Sequence, residues 1–141
     1  MLVGRSEGFV VGAPDLDETI RRLKAYAAAG ADCLYAPGIK TREQIAAIVT
    51  AVAPKPVNLV IGAPIGLTVA DVAALGVRLI SLGCGLARAA WGGFMRATSL
   101  IARDGKFDGL AEAASWAELN HLLAEDRTRR GQIYGRVLIT P

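Results

Sequence analysis

Four short apolar runs, each followed by a helical stretch, constrain this chain more than any other feature. The runs are Leu2-Val3-Gly4, Asp32-Cys33-Leu34-Tyr35, Val57-Asn58-Leu59-Val60 and Val77-Arg78-Leu79-Ile80-Ser81. The segment Ala29-Gly30-Ala31-Asp32-Cys33-Leu34-Tyr35 is echoed by Leu75-Gly76-Val77-Arg78-Leu79-Ile80-Ser81. In both, a glycine stops a helix and a buried strand begins. Strict βα alternation with short apolar strands implies a parallel sheet, either doubly wound or a barrel segment. A doubly wound nucleotide binder carries GxGxxG or GxxxxGK(S/T) just after a strand. Gly83-Cys84-Gly85 supplies two glycines of the first pattern, but Arg88 stands where the third belongs. The expected fold class is therefore α/β, with parallel βα repeats forming half of a TIM (β/α)8 barrel.

The helices are read from apolar spacing and end signals. Asp15 with Glu18 imitates a capping box, and Leu16, Ile20, Leu23 and Ala27 then share one face. A second helix starts near Thr41, with Ile45, Ile48, Val49 and Val52 inward, and Pro54 and Pro56 end it. A short helix from Thr68 presents Val69, Val72 and Ala73. A long one from Gly85 to Arg103 presents Leu86, Ala90, Phe94, Ala97 and Ile101, with Gly92-Gly93 allowing close packing or a kink. Ser115 and Glu118 form a proper capping box for a last helix ending near Leu123. Residues 1–123 are thus expected to be the half-barrel with a trailing helix. Residues 124–141 are expected to be a basic tail, with Arg136-Val137-Leu138-Ile139-Thr140 as a candidate strand.

Composition narrows the class. At 52% hydrophobic residues the chain is not disordered, and no apolar run reaches the ~18–20 residues of a membrane span. Met1-Leu2-Val3-Gly4-Arg5 lacks a basic segment and an apolar core, so no signal peptide is expected and a cytoplasmic location is the default. Cys33 and Cys84 stand alone in apolar segments and read as reduced core thiols. The net charge is +3, with Arg127, Arg129, Arg130 and Arg136 gathered late. No aromatic interleaving accompanies them, which reads as a solvated tail and not a nucleic-acid surface.

In parallel barrels chemistry sits where strands run into their following helices. Those places hold Arg5 to Glu7, Tyr35 to Gly38, Asn58 to Gly62, and Ser81 to Gly83. Arg5 either presents its fork to a carboxylate or phosphate or closes a loop ion pair with Glu7 or Asp15. Glu7 either sits near a metal or orients Arg5. Asn58, an amide inside an apolar strand, needs partners from a ligand or from a neighbouring strand end. Tyr35 and Ser81 read as packing and capping residues, and His121, the single histidine, as structural. No triad can be assembled and no cluster has metal-ligand spacing, so no catalytic or metal-ligating residue is assigned.

Gly4-Arg5-Ser6-Glu7-Gly8-Phe9 resembles the Ala-Arg-Thr-Asp/Glu-Ala-Phe strand of the isocitrate lyase/phosphoenolpyruvate mutase superfamily. The resemblance continues through Pro14-Asp15-Leu16-Asp17-Glu18-Thr19-Ile20, Tyr26-Ala27-Ala28-Ala29-Gly30-Ala31-Asp32, Tyr35-Ala36-Pro37-Gly38, Lys55-Pro56-Val57-Asn58 and Leu75-Gly76-Val77-Arg78. It reaches Gly105-Lys106-Phe107 and fades near Leu123. It implies the C-terminal half of a (β/α)8 barrel, strands five to eight. It also implies Mg²⁺-dependent C–C lyase or P–C mutase/lyase chemistry on 2-hydroxy or 2-oxo carboxylates through an enolate. In that picture Arg5 binds the substrate carboxylate, and Asn58 and Gly38 line the same pocket. The family's Asp-rich metal site and catalytic loop lie before the fifth strand, so the Mg²⁺ ligands are not in this chain. Ala36-Pro37-Gly38 stands where isocitrate lyases carry a Glu, which points to the phosphonomutase-like branch. The alternative is a non-catalytic half-barrel that self-associates and at most binds small organic anions. Either way the expected partners are a small carboxylate or phosphonate and further copies in a homo-oligomer, with no nucleic acid or membrane.

Overall fold

The computed structural model describes the backbone of residues 1–134 and the side chains of residues 1–126. The elements run β1 (Val3–Arg5), α1 (Leu16–Ala28), β2 (Cys33–Tyr35), α2 (Arg42–Val52), β3 (Val57–Val60), α3 (Val69–Ala74), β4 (Leu79–Ser81) and α4 (Gly85–Asp104). A 3-10 turn (Asp108–Leu110) and α5 (Trp116–Tyr134) follow. The four strands form one parallel sheet in the order β1-β2-β3-β4. Alternating parallel strands and helices in simple sequence order are what half of a (β/α)8 barrel looks like. The chain divides into two compact units, Met1–Trp91 and Gly92–Pro141.

The first unit is built on one face of its sheet. Leu34, Val57 and Leu59 are buried there with Leu23 of α1, Ile45 and Ile48 of α2 and Val72 of α3 in one cluster. Burying each such side chain stabilises by roughly 1.5–3 kcal/mol. The faces read from spacing behave as expected in α1, where Leu16, Ile20 and Ala27 pack around Leu23, and in α2. In α3 only Val72 is buried, and Val69 is 71% exposed, because a helix of six residues has one inward turn.

The ends of these helices carry the expected chemistry. The Asp15 carboxylate accepts from the Glu18 N–H at 2.9 Å, but the Glu18 side chain turns to Arg21 and Arg22 and leaves the box half made. The boxes at Thr41–Gln44 and Thr68–Asp71 are complete. The repeated glycine stop is a pair of Schellman closures. The Ala31 N–H reaches the Tyr26 carbonyl and the Gly30 N–H that of Ala27; Val77 and Gly76 do the same with Val72 and Ala73. Both glycines hold positive φ, 99° and 90°. Val77 is consumed by this closure, so β4 begins at Leu79 and not at Val77.

α4, which begins in the first unit, runs unbroken through Gly92 and Gly93, and the Arg96 guanidinium lies over both. Of the five residues expected to be buried along α4, only Ala97 is. Leu86, Phe94 and Ile101 are 70%, 58% and 37% exposed. The close approach on that face is at Ala97, against which Gly109 of the 3-10 turn packs. The box at Ser115–Glu118 forms, but α5 continues past Leu123 to Tyr134. The candidate strand at residues 136–140 lies outside the described residues, as do the side chains of the late arginines. Among the described residues no helix is long and apolar enough to cross a membrane.

Gly4 of β1 lies against α1, where an added Cβ would meet the Tyr26 Cβ at 2.7 Å and the Leu34 Cδ2 at 3.1 Å. Gly4→Ala is expected to destabilise the chain by about 1–3 kcal/mol in urea unfolding. Glu18 is lowered from 4.5 to about 2 by Arg21 and Arg22, and Asp71 from 3.8 to about 2, first by the Thr68 hydroxyl. Depressed carboxylates add stability above their ordinary values and lose it as pH falls toward the folded values. The urea midpoint should therefore drop between pH 4.5 and 2. Glu18→Gln combined with Asp71→Asn should flatten that drop.

Candidate functional site

Strand register assembles the site. Arg5 is paired with Tyr35, Tyr35 with Asn58 and Asn58 with Leu79, one row across all four strands. Register partners in a parallel sheet point to the same face, and neighbours along a strand to opposite faces. Gly4, Leu34, Val57 and Leu59 face the helices, so the row faces away from them, on the side that lines a barrel's interior. It lies at the C-terminal ends of β1 and β2, where barrels carry their chemistry. Two inter-strand steps separate Arg5 from Asn58, roughly 10 Å between Cα atoms.

Within the row, Arg5 is held from two sides. Its Nε forms an ion pair with the Glu7 carboxylate, and its guanidinium carbon stands 4.9 Å from the centre of the Tyr35 ring. Of the two readings open for Arg5, a loop ion pair is formed, and its partner is Glu7 and not Asp15. Both side chains are about half exposed, 52% and 41%. Such a pair is worth only ~0–1 kcal/mol, so an incoming anion can compete for the guanidinium. The cation–π contact adds ~0.5–1 kcal/mol and fixes the plane of the fork. Reading Tyr35 as a packing residue missed this role. The signal available was positional, since Tyr35 and Arg5 both close a strand.

Asn58 is the polar exception in β3. Its Oδ1 is the one buried side-chain oxygen or nitrogen without a partner among the described residues. Leaving a buried carbonyl unpaired costs roughly 1–3 kcal/mol. Gly38 lies further out, on the loop between β2 and α2. Its φ is +96°, and an added Cβ would meet the Phe9 Cβ at 2.8 Å. Gly38 thus brings the β2–α2 loop against the β1–α1 loop. Ser6 is buried, its N–H donating to the Tyr35 carbonyl at 3.0 Å.

Other candidates fall elsewhere. Cys33 is buried as expected, but Cys84 is exposed, because the turn Gly83-Cys84-Gly85 stands at the open end of β4. His121 lies on α5, 3.2 Å from Glu125. A groove of about 350 Å³ behind the β1–α1 loop is lined by Ser6, Glu7, Asp15, Glu18 and Thr19 but not by Arg5. A larger one, about 470 Å³, runs along α4 in the second unit and touches no strand-end residue. Among the described residues no three His, Cys, Asp or Glu side chains converge. The Glu7 carboxylate is already engaged by Arg5. These residues do not by themselves fit a Mg²⁺ site.

Fold and row together define an α/β half-barrel with a cation-bearing mouth. The phosphoenolpyruvate phosphomutase family profile matches residues 1–102, and the chain belongs to that family. A protein of Burkholderia cenocepacia J2315, provisionally assigned as a lyase/mutase, is 47% identical with a TM-score of 0.80, covering 87% of this chain and 44% of its own. Phosphoenolpyruvate phosphomutase of Streptomyces platensis subsp. rosaceus shares the fold at 23% identity and a TM-score of 0.70, over 95% of this chain and 47% of its own. Oxaloacetate acetylhydrolase, solved with its product oxalate, is 25% identical with a TM-score of 0.67, over 96% and 47%. The chain therefore spans less than half the length of each of these structures. A comparison with curated proteins finds no match.

Gly38→Ala should destabilise by about 1–3 kcal/mol, since it combines a strained φ with a backbone clash. Measured by urea unfolding, a loss that Phe9→Gly, which removes the Phe9 Cβ, partly relieves in the double variant would show that the contact between the two loops is the cause.

Proposed function

We propose that the row Arg5, Tyr35, Asn58 forms the anion-binding side of a lyase- or mutase-type site for small carboxylates. Arg5 grips the substrate carboxylate through its planar fork, and Glu7 and Tyr35 orient that fork. Asn58 offers its amide further along the row, and Gly38 sets the loop that closes over it. The observation that carries this reading is the position of Arg5. A guanidinium sits at a barrel-type strand end, held only by a weak exposed pair and a ring. Oxaloacetate acetylhydrolase, similar in fold over most of this chain, holds the dicarboxylate oxalate as its product. On this reading the reaction belongs to the C–C lyase or P–C mutase/lyase class, passing through an enolate on a 2-oxo or 2-hydroxy carboxylate. The Mg²⁺ implied by the family is held by residues other than those described, and no step is assigned to it. The working compartment is the cytoplasm, where the free thiols Cys33 and Cys84 stay reduced.

Calorimetric titration with oxalate tests the site without requiring turnover. Saturable binding is expected, and Arg5→Gln should weaken it by roughly 10–100-fold, the worth of a charge-assisted hydrogen-bond pair. Arg5→Lys should recover little, because an ammonium cannot reproduce the two-point fork. Tyr35→Leu should cost about 2–5-fold and Tyr35→Phe almost nothing. Oxalate affinity unchanged in Arg5→Gln would sink the proposal. Binding that needs Arg5 but is never followed by Mg²⁺-dependent turnover would leave an anion-binding half-barrel.

A further inference from the structure

We propose that the groove behind the β1–α1 loop is a binding site for an alkali cation, sodium or potassium. Every wall of it comes from residues 6–22, the loop after β1 and the first two turns of α1. The groove therefore does not depend on what covers β1 or the inner face of the sheet. Ser6 and Thr19, 3% and 2% exposed, are the two buried polar residues among those described. Both line the groove, and neither hydroxyl bonds to a protein group among the described residues. Burying a hydroxyl is unfavourable unless a partner reaches it, and here the open side is the groove. The loop is held in shape by its own backbone. The Val10 and Val11 N–H groups donate to the Glu7 carbonyl, and the Ala13 N–H donates to that of Gly8.

The atoms of the wall choose the occupant. The Ala13 carbonyl and the Thr19 hydroxyl stand together, 2.9 and 3.7 Å from where a Cβ on Gly8 would lie. Asp15 caps α1 through Oδ1, leaving Oδ2. Glu7 meets Arg5 through Oε1, leaving Oε2. Glu18 differs, since both its oxygens are taken by Arg21 and Arg22. That pairing also occupies Arg22, the one cation on the wall. The uncommitted atoms are thus two hydroxyls, a carbonyl and two half-used carboxylates, all of them oxygen. Hard cations take oxygen ligands, whereas an anion would meet like charge there. A divalent ion calls for converging carboxylates, and among the described residues no three Asp, Glu, His or Cys side chains converge. Neutral oxygens with little carboxylate charge suit a single charge instead. Glu7 belongs both to the groove and to the Arg5 pair, so the cation and the guanidinium compete for one carboxylate. The site is independent of which anion Arg5 binds.

The test is urea unfolding of the full chain, with KCl or NaCl replacing choline chloride at constant ionic strength so that screening is unchanged. The midpoint is expected to rise with one or both alkali ions and then level off, as binding to the folded state alone requires. Which salt acts identifies the ion. Thr19→Val removes the hydroxyl, and Asp15→Asn removes the charge while keeping a good helix cap. Each should raise the half-saturating salt concentration roughly tenfold, the worth of one polar contact to a charge. Arg5→Gln should act the other way and lower it about 2–5-fold, because it releases Glu7 from an exposed ion pair. A bulk salt effect would not move in opposite directions in these variants. Equal midpoints in the three salts would leave only water in the groove and overturn the proposal. A rise that never levels off, or one that neither Asp15→Asn nor Arg5→Gln moves, would do the same. Should Thr19→Val fail to fold, those two variants decide.

Discussion

Burial of one face of a parallel sheet beneath α1 and α2 holds the first unit together. Leu34, Val57 and Leu59 reach that face because strand side chains alternate, and Leu23, Ile45 and Ile48 meet them because the helices place them at intervals of three and four. Once those faces lock, the remaining strand positions have no choice of side. Arg5, Tyr35, Asn58 and Leu79 are turned to the opposite face, in one row. The candidate site is thus a consequence of core packing. A register slip of one residue in any strand would break the row and the core together.

The same geometry explains why this site is poor in self-sufficient chemistry. The row contains one guanidinium, one phenol ring and one amide, which can bind and orient an anion. Among the described residues no carboxylates converge on it. The strongly perturbed carboxyls, Glu18 and Asp71, cap or brace helices on the outer surface. They serve the fold. On the proposed reading, these four βα units supply the anion-orienting side of the site.

Glycine positions show how closely fold and site are joined. Gly30 and Gly76 end two helices in the same closure and set where β2 and β4 begin. Gly4 lets β1 approach α1, which fixes the strand whose end carries Arg5. Gly38 lets the loop after β2 lie on Phe9 in the loop after β1. Each is a place where backbone needs space or a positive φ that a side chain would deny.

Much of this was legible in the residues. The alternation of apolar runs with spaced helices specified four βα units, and local signals such as Thr41–Gln44 and Ser115–Glu118 marked helix starts within a residue, because caps depend only on near neighbours. Arg5, Glu7, Asn58 and Gly38 were recognisable as strand-end candidates for the same reason. What spacing cannot carry is the neighbour from a distant segment. The ring of Tyr35 beneath Arg5, the choice of Glu7 over Asp15 and the contact of Gly38 with Phe9 all depend on register between strands far apart in sequence. The exposed stripe on α4 is the converse case. Leu86, Phe94 and Ile101 form an apolar face on periodicity alone, yet only tertiary structure decides what covers such a face. Sequence by itself determined the elements and the chemical character of their ends. Tertiary structure decided which of those ends share a row, because inter-strand register is a property of the packed sheet and of no single segment.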